Sequence, residues 1–225
     1  MAIRSIRGVP IHIVQDPELL AAGWLSRTAG EEGSIVLSGG RTVGKAYEAA
    51  AVLLEDWTGA QAWFGDERAV PPDDEHSNYR LARETLFDRV RVPPEVHRIR
   101  GELGAEAAAK LYDVEIAGAD LDLALNGIGA DGHTASLFPN APALEERERR
   151  AVAAEAGLEP FVHRVTLTPP AFAATRLLIY LVTGESKAEA VRRAFVEEPS
   201  PDTPASLVRG QETIAILDAA AASRL

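Results

Sequence analysis

Residues 123–140 read LALNGIGADGHTASLFPN, and this stretch joins a buried strand to a polar, glycine-rich loop. The apolar run at 121–125 predicts the strand, and the three glycines that follow let the backbone turn sharply and approach a ligand closely. The loop carries Asp131 and His133 before a short helical stretch that is predicted to begin at Thr134. Because histidine changes charge nearest neutral pH, the loop is a candidate functional site. The alternative is a plain β-to-α turn whose histidine caps a helix or faces water.

Strand-like apolar runs alternate with helical patterns along most of the chain. The helical patterns have apolar residues at three- and four-residue spacing and few internal breakers. The predicted strands cover residues 11–14, 34–37, 61–64, 96–99, 121–125, 165–168, 177–182 and 213–217. The predicted helices cover residues 17–28, 42–57, 77–89, 105–116 and 186–196. This alternation predicts an α/β fold with a mostly parallel sheet flanked by helices on both faces.

The length and composition predict one domain over residues 1–225. A chain of 225 residues with 46% apolar content can bury one sizeable core. Residues 139–156 and 197–204 are charged or proline-rich, and both are predicted to be surface connections too short to separate domains.

Charge and residue usage exclude several classes of function. A net charge of -11 argues against sequence-independent binding of nucleic acid or anionic membranes. The absence of cysteine excludes disulfides, thiolate nucleophiles and thiolate metal sites. The five histidines lack the paired spacing of metal ligands, so no metal site is predicted. There is no GxSxG elbow of a serine hydrolase. No apolar run suits a signal peptide or a membrane span, so we expect a soluble, cytoplasmic protein.

Four polar loops containing glycine follow predicted strands, and they read SGGRT, GDERAVPPDDEHSN, NGIGADGHT and TGESK. In a parallel sheet these loops meet at the carboxyl edge, where ligands gather. The first loop suits a phosphate cradle before a helix N-terminus, since small residues expose backbone N–H groups. Its candidate residues are Ser38, Gly39, Gly40 and Thr42. The alternative is a tight turn with Ser38 or Thr42 as the N-cap.

Three cations are further candidates. Lysine occurs only at positions 45, 110 and 187, and Lys187 lies in the first turn of a predicted helix, where a cation opposes the helix dipole. A bound phosphate would compensate, whereas the alternative is an exposed lysine or a pair with Glu185. Arg68 follows a predicted strand and is a candidate partner for phosphate or an oxyanion, although three adjacent charges at 66–68 are typical of a solvated loop. Arg164, at a predicted strand start, is ambiguous.

Four segments resemble, in order and spacing, the corresponding blocks of 6-phosphogluconolactonases, within the larger group that includes glucosamine-6-phosphate deaminases. They are LSGGRT, WFGDERAVPPDDEHSNYRLARETL, DLALNGIGADGHTASLFPN and RVTLTPPAFAATRLLIYLVTGESKAEAVRRAF. The resemblance implies a Rossmann-like, glucosamine-6-phosphate deaminase-like sandwich. It also implies hydrolysis of 6-phospho-D-glucono-1,5-lactone to 6-phosphogluconate in the oxidative pentose phosphate pathway, without a cofactor.

The resemblance also implies roles for individual residues. His133 is the expected general base with Asp131 beside it, and Arg68 is the expected active-site cation. The expected substrate and phosphate contacts are Ser38, Gly39, Gly40, Thr42, Arg164 and Lys187. Val43 stands where a proline often follows the threonine, which affects helix initiation more than chemistry. The expected partner is a small phosphorylated sugar lactone, and the sequence does not indicate an oligomeric state.

Two other functions remain as alternatives. The related deaminases resemble this chain at the Asp-Gly-His block but continue with a sequence like Phe-Asn-Glu-Pro, whose glutamate takes part in ring opening. This chain reads Ser-Leu-Phe-Pro-Asn at 136–140, so the acid is absent and a deaminase or isomerase is disfavoured. A non-catalytic sugar-phosphate sensor is disfavoured because the first predicted strand, at 11–14, leaves no room for a basic DNA-binding segment.

Overall fold

The computed structural model describes residues 2–157, 159 and 161–225, and its central element is an eight-stranded sheet. The strands are β1 Ala2–Ile6, β2 Val9–Ile13, β3 Ser34–Leu37, β4 Gln61–Phe64, β5 Asp66–Arg68, β6 Glu95–Val96, β7 Leu123–Asn126, β8 Ala151–Ala154, β9 Arg164–Leu167, β10 Leu177–Val182 and β11 Glu212–Leu217. The central order is β1-β2-β11-β10-β7-β3-β4-β6. Every pairing in it is parallel except that of β1 with β2. The predicted mostly parallel α/β sheet is therefore confirmed.

Helices connect these strands and pack against the sheet. They are α1 Pro17–Gly30, α2 Arg41–Leu53, α3 Asn78–Ala82, α4 Ala105–Ile116, α5 Pro169–Ala174, α6 Ala188–Phe195 and α7 Pro204–Leu207. The predicted helix at 105–116 has the same bounds as α4, and α1 begins at the predicted residue because Asp16 accepts a hydrogen bond from the Leu19 N–H. The central strands read as continuous apolar runs because both of their faces are covered; in β7, Leu123, Ala124 and Leu125 are all buried.

The strand predicted at 165–168 is real but lies outside the central sheet. It corresponds to β9, which forms a separate antiparallel sheet in the order β5-β9-β8. Neither β5 nor β8 was predicted, because β5 is a run of charges and β8 lies in the charged segment at 139–156. The Asp113 carboxylate on α4 accepts the N–H groups of Arg150 and Ala151, which holds β8 against the helix. The prediction that 139–156 is only a surface connection is therefore wrong.

Several predicted bounds were also wrong, because tertiary contacts interrupt the local patterns. The helix predicted at 42–57 ends at Leu53, since Trp57 is buried and its N–H donates to the Val92 carbonyl. The pattern at 77–89 divides into α3 and a π-helical turn, Arg83–Phe87. Of the residues predicted as a strand at 96–99, only Val96 lies in a strand, the two-residue Glu95–Val96 that pairs with β4. The helix predicted at 186–196 begins as a 3-10 turn, Glu185–Lys187, before α6.

Candidate active site

The loops that follow β3, β4, β7 and β10 line one cleft of about 640 Å³ at the carboxyl edge of the central sheet. The four polar loops therefore meet as predicted. Most of the candidate residues contribute to its wall, namely Ser38, Gly39, Gly40, Thr42, Arg68, His133, Arg164 and Lys187. Asp131 lies directly behind the wall, in contact with His133.

His133 and Asp131 form a hydrogen-bonded pair. His133 Nδ1 lies 2.6 Å from Asp131 Oδ1, and the His133 backbone N–H donates to the same oxygen at 3.2 Å. Burial of Asp131 opposes ionisation, but the hydrogen bond from His133 and the charge of an imidazolium outweigh it and lower the pKa of Asp131. An ionised Asp131 fixes the Nδ1 proton, which leaves the lone pair on Nε2. The pair thus has the arrangement of an oriented general base.

The glycine at position 129 is required for this pair. A side chain there would collide with the His133 imidazole, and its Cβ would lie 2.5 Å from Asp131 Oδ1. The Gly129 N–H also donates to the His133 carbonyl at 2.8 Å, which closes the loop around the pair. The Phe138 ring also packs on the imidazole, with 4.9 Å between the ring centroids. The loop and Phe138 together restrict the orientation of His133.

The short helix predicted from Thr134 does not form. Thr134 and Leu137 instead make an isolated antiparallel bridge, and Ala135 has a φ of 49°. Two side chains hold this turn, because Thr134 Oγ1 donates to the Gly127 carbonyl at 3.0 Å and Ser136 Oγ donates to Asp66 Oδ2 at 2.6 Å. The histidine is therefore held in a compact turn, not at a helix N-terminus.

The three charges of β5 are not the solvated loop that their composition suggested. Asp66 and Glu67 are 5% and 2% exposed. Burial raises the pKa of Glu67, and hydrogen bonds to its carboxylate offset part of this effect. The donors to that carboxylate are the N–H groups of Arg68, Asn78 and Tyr79 and the Ser77 hydroxyl. Ser77 is also the N-cap of α3, because its hydroxyl accepts from the Arg80 N–H.

Arg68 and Arg164 lie side by side on adjacent strands of the small sheet. They are cross-strand partners in the pairing of β5 with β9. Arg164, whose position at a strand start was ambiguous from the sequence, is buried, with 5% of its surface exposed. Burial and the charge of Arg68 lower the pKa of Arg164, while Asp66 and Glu67 raise it. Both guanidinium groups lie on one wall of the cleft, where they can meet an anion or a developing oxyanion.

The Ser38–Thr42 loop is shaped by buried contacts. The Ser38 hydroxyl donates to the Leu125 carbonyl at 2.7 Å, and the Tyr47 hydroxyl bonds both the N–H and the carbonyl of Ser38. Gly40, with a φ of 117°, is the N-cap of α2, and no side chain caps that helix. The alternative of a Ser38 or Thr42 cap is therefore wrong. Thr42 Oγ1 instead lies 3.0 Å from Thr183 Oγ1, which links this loop to the one after β10.

Lys187 lies at the start of α6 and lines the cleft. It is partly buried, and burial lowers its pKa while the charge of Asp131 opposes that shift. Within the part of the chain that the structure describes, Lys187 makes no ion pair, so the alternative of pairing with Glu185 is not observed. The Gly184 N–H donates to both carboxylate oxygens of Asp218, which fixes the turn that carries Lys187. A phosphate in the cleft would supply the missing counter-charge.

Sequence reasoning missed several residues that complete this cleft. Asp66, Asn78 and Arg41 line it, Ser136 bonds Asp66 from behind the wall, and Phe138 packs on both His133 and Arg164. The Ser77-Asn78 pair was an available signal for Asn78, because asparagine side chains near a helix start form specific hydrogen bonds with neighbouring groups. Nothing local in the sequence indicated the positions of Ser136 and Phe138.

No metal site or membrane span is found in the described ranges. No cluster of three or more His, Asp or Glu side chains there could hold a metal ion. None of the helices that the structure describes is long and apolar enough to cross a bilayer.

We predict that dialysis against EDTA leaves the activity unchanged, and that adding Zn²⁺ or Mg²⁺ afterwards has no effect. A loss on chelation that one of these ions reverses would reveal a metal site.

Comparison with known proteins identifies the family. The family described as glucosamine-6-phosphate isomerases/6-phosphogluconolactonase matches residues 21–216. The chain belongs to this family. It is 36% identical over 213 residues to 6-phosphogluconolactonase of Streptomyces coelicolor, covering 85% of this chain and 82% of the relative. It is similar to the crystal structure of 6-phosphogluconolactonase from Thermotoga maritima, with a TM-score of 0.80, 30% identity, and coverage of 92% of this chain and 98% of that one.

A deaminase shares the fold as well. A monomeric glucosamine-6-phosphate deaminase aligns with a TM-score of 0.85 at 21% identity, covering 96% of this chain and 99% of that one. Identity at that level shows the fold alone. The predicted glucosamine-6-phosphate deaminase-like fold is therefore confirmed, and the choice between the two chemistries depends on the side chains of the cleft.

Proposed function

We propose that this chain hydrolyses 6-phospho-D-glucono-1,5-lactone to 6-phosphogluconate, the second step of the oxidative pentose phosphate pathway. The observation that carries the proposal is a single cleft with an oriented histidine–aspartate pair, two arginines on one wall and a lysine without an ion pair among the described residues. Relatives named 6-phosphogluconolactonase, at 36% identity in one case, support the same activity.

In the proposed reaction His133 Nε2 takes a proton from a water molecule, and the resulting hydroxide attacks the lactone carbonyl carbon. Arg68 and Arg164 stabilise the oxyanion that forms. The bond from this carbon to the ring oxygen then breaks as the carbonyl reforms, and the imidazolium returns its proton to the leaving ring oxygen. Asp131 stabilises the imidazolium between the two proton transfers. The product is an open-chain acid, and His133 is again neutral.

The walls of the cleft formed after β3 and β10 suit the phosphate group. Lys187 and the glycine loop at 38–42 lie on the walls formed after β10 and β3, and the contact between Thr42 and Thr183 joins these walls. Arg41 and Lys45 add positive charge at the same cleft in a chain whose net charge is -11. This local concentration of cations favours a phosphorylated substrate over a neutral lactone.

Three substrates separate the proposed activity from its alternatives. We expect rapid acid release from freshly prepared 6-phosphogluconolactone, slow release from unphosphorylated gluconolactone, and no ammonia from glucosamine 6-phosphate. Ammonia release would favour the deaminase, although residues 136–140 lack the glutamate expected of it. Binding of 6-phosphogluconate by a folded sample that does not accelerate lactone hydrolysis would favour the sensor.

Lys187→Met is expected to raise the Michaelis constant for the phosphorylated lactone at least about tenfold. The reason is the loss of a charge-assisted contact worth roughly 1.5 to 3 kcal/mol. The turnover number should change little, because the phosphate lies away from the reacting carbonyl. Steady-state kinetics on the phosphorylated and unphosphorylated lactones measure this effect, and the second substrate should be almost unaffected.

The same variant has an expected effect on stability. Burial lowers the pKa of Lys187 in the folded protein, so folding disfavours its charged form. Lys187→Met should therefore maintain or raise the melting temperature at neutral pH, and the gain should shrink as the pH rises through the lysine pKa. Equal damage to both substrates, or a lower melting temperature with an unchanged Michaelis constant, would show that Lys187 is structural.

A further inference from the structure

Asn78 lies between the two charged side chains of β5 that reach the cleft. It is 1% exposed, yet its amide forms part of the cleft wall. Its Oδ1 accepts from Arg68 Nη1 at 2.7 Å. Its Nδ2 donates to the backbone carbonyl of Asp66 at 2.8 Å and to Asp66 Oδ1 at 3.0 Å. One amide thus joins a cation and a carboxylate that lie two residues apart on the strand.

The two partners dictate the orientation of this amide. The guanidinium of Arg68 can only donate, so it requires the amide oxygen, and the Asp66 oxygens can only accept, so they require the NH₂ group. A carboxylate at position 78 would face Asp66 with like charge, and an aliphatic side chain would leave buried polar groups unpaired. An amide offers an acceptor oxygen and a separate NH₂ group with two donors in fixed directions, whereas a hydroxyl has one oxygen and one donor.

The backbone around Asn78 is built to hold it in this place. The Asn78 N–H donates to Glu67 Oε1 at 2.7 Å, and the same buried carboxylate binds Ser77 and Tyr79. On the opposite side Gly39 makes room, because a Cβ there would collide with Asn78 Oδ1 and would lie 2.7 Å from its Cγ. The glycine of the β3 loop therefore serves Asn78 in addition to any phosphate contact.

Asn78 leaves part of the Arg68 guanidinium available. Arg68 Nη1 is occupied by two acceptors, the His76 carbonyl and Asn78 Oδ1, both at 2.7 Å. The buried Nε has no hydrogen-bond partner among the described residues. The guanidinium is planar and rigid, so fixing Nη1 fixes the direction of its remaining N–H groups. Nη2, which makes no hydrogen bond to the described residues, is the group available to meet the carbonyl oxygen of a substrate.

The contacts continue to the loop that carries His133. Asp66 Oδ2 accepts from Ser136 Oγ at 2.6 Å, and Ser136 lies three residues after the histidine. A chain of buried hydrogen bonds thus runs from Arg68 through Asn78 and Asp66 to Ser136. It couples the wall that carries the arginine to the wall that carries the proposed base.

We propose that Asn78 is a positioning residue that aims Arg68 at the reacting carbonyl. The proposal rests on the lactone hydrolysis proposed above. Asn78 itself takes no part in proton transfer, and its effect on the rate passes through Arg68. Its removal should therefore lower the turnover number, because a misaimed guanidinium stabilises the transition state less, while binding of the phosphate end should persist.

A double-mutant cycle with Arg68 tests this proposal. Asn78→Ala is expected to lower kcat by about tenfold to a hundredfold in the wild-type background, with less than a threefold change in the Michaelis constant. In an Arg68→Met background the same substitution should lower kcat by less than about threefold, because the group it positions is gone. Asn78→Leu, which is similar in size and also lacks the acceptor for Arg68 Nη1, enters the same cycle and carries the test if the alanine variant does not fold.

Ser77→Ala is the matched control. It removes the N-cap of α3 and a hydrogen bond to Glu67 at the neighbouring position, without a contact to Arg68 or Asp66. It should lower the melting temperature while kcat stays within about threefold of the wild type. If Ser77→Ala loses as much kcat as Asn78→Ala, the effect is a general loosening of the loop and the proposal is wrong.

The cycle has a second outcome that would overturn the proposal. Losses from Asn78→Ala and Arg68→Met that multiply independently would show that Asn78 does not act through Arg68. If the proposed lactone hydrolysis is itself wrong, the wild-type protein will not accelerate the reaction. That result is obtained before any variant is compared, so it is distinct from a wrong role for Asn78.

Discussion

His133→Asn is expected to lose about 10²- to 10⁴-fold in kcat on 6-phosphogluconolactone, the usual contribution of a positioned base. Asparagine is polar and similar in reach, but it cannot accept a proton from water at the position of Nε2. Binding should change little, since the phosphate contacts lie on other walls of the cleft. Acid release in a weakly buffered solution measures the turnover, and calorimetric binding of 6-phosphogluconate measures the affinity.

The matched control for this variant is His163→Asn. The His163 side chain is 66% exposed and pairs with Glu155, away from the contacts of His133. It should retain turnover within about twofold of the wild type. Turnover near the wild-type value in His133→Asn would remove the histidine from the mechanism and leave its pair with Asp131 as a structural feature of the loop.

Arg68→Met is expected to lower kcat by about 10²- to 10³-fold, the effect of removing one donor from an oxyanion site. The charge that Arg68 meets develops only in the transition state, so the loss should fall on kcat more than on the Michaelis constant. The variant also leaves the His76 carbonyl and Asn78 Oδ1 without their donor, which should reduce stability modestly. Steady-state kinetics and thermal melting separate these two effects.

Arg68→Lys separates the effect of the positive charge at position 68 from the effect of the planar guanidinium geometry. A lysine keeps the positive charge, but its ammonium cannot hold the two acceptors at Nη1 and also present a fixed planar edge to the substrate. We expect it to recover only part of the lost turnover. An increase in the Michaelis constant with unchanged kcat in Arg68→Met would show instead that Arg68 binds the ground state, as a phosphate ligand would.

The features that were predictable from sequence depend on local pattern. The strands at 34–37, 61–64 and 177–182 have the predicted bounds, because strands buried on both faces read as uninterrupted apolar runs between polar loops. Placing the polar loops at one edge followed from the parallel order alone. His133 and Lys187 could be selected because a histidine in a glycine loop and a rare lysine at a helix start are locally unusual.

The features that were not predictable depend on contacts between distant segments. Asp66 and Glu67 resembled a solvated run, and they are buried only because α3 returns its N-terminal N–H groups to Glu67 and β9 pairs with β5. Thr134 was expected to open a helix, but the hydrogen bond from Ser136 to Asp66, across 70 positions in the chain, holds a turn instead. Arg164 was ambiguous for the same reason, since its burial depends on the small antiparallel sheet.

The most direct test of the central claim is the rate of acid release from freshly generated 6-phosphogluconolactone with the purified chain. The rate should exceed the spontaneous rate, rise in proportion to protein concentration, and fall almost to the spontaneous rate when the same amount of His133→Asn is used. A folded wild-type sample that binds 6-phosphogluconate without accelerating acid release would contradict the account.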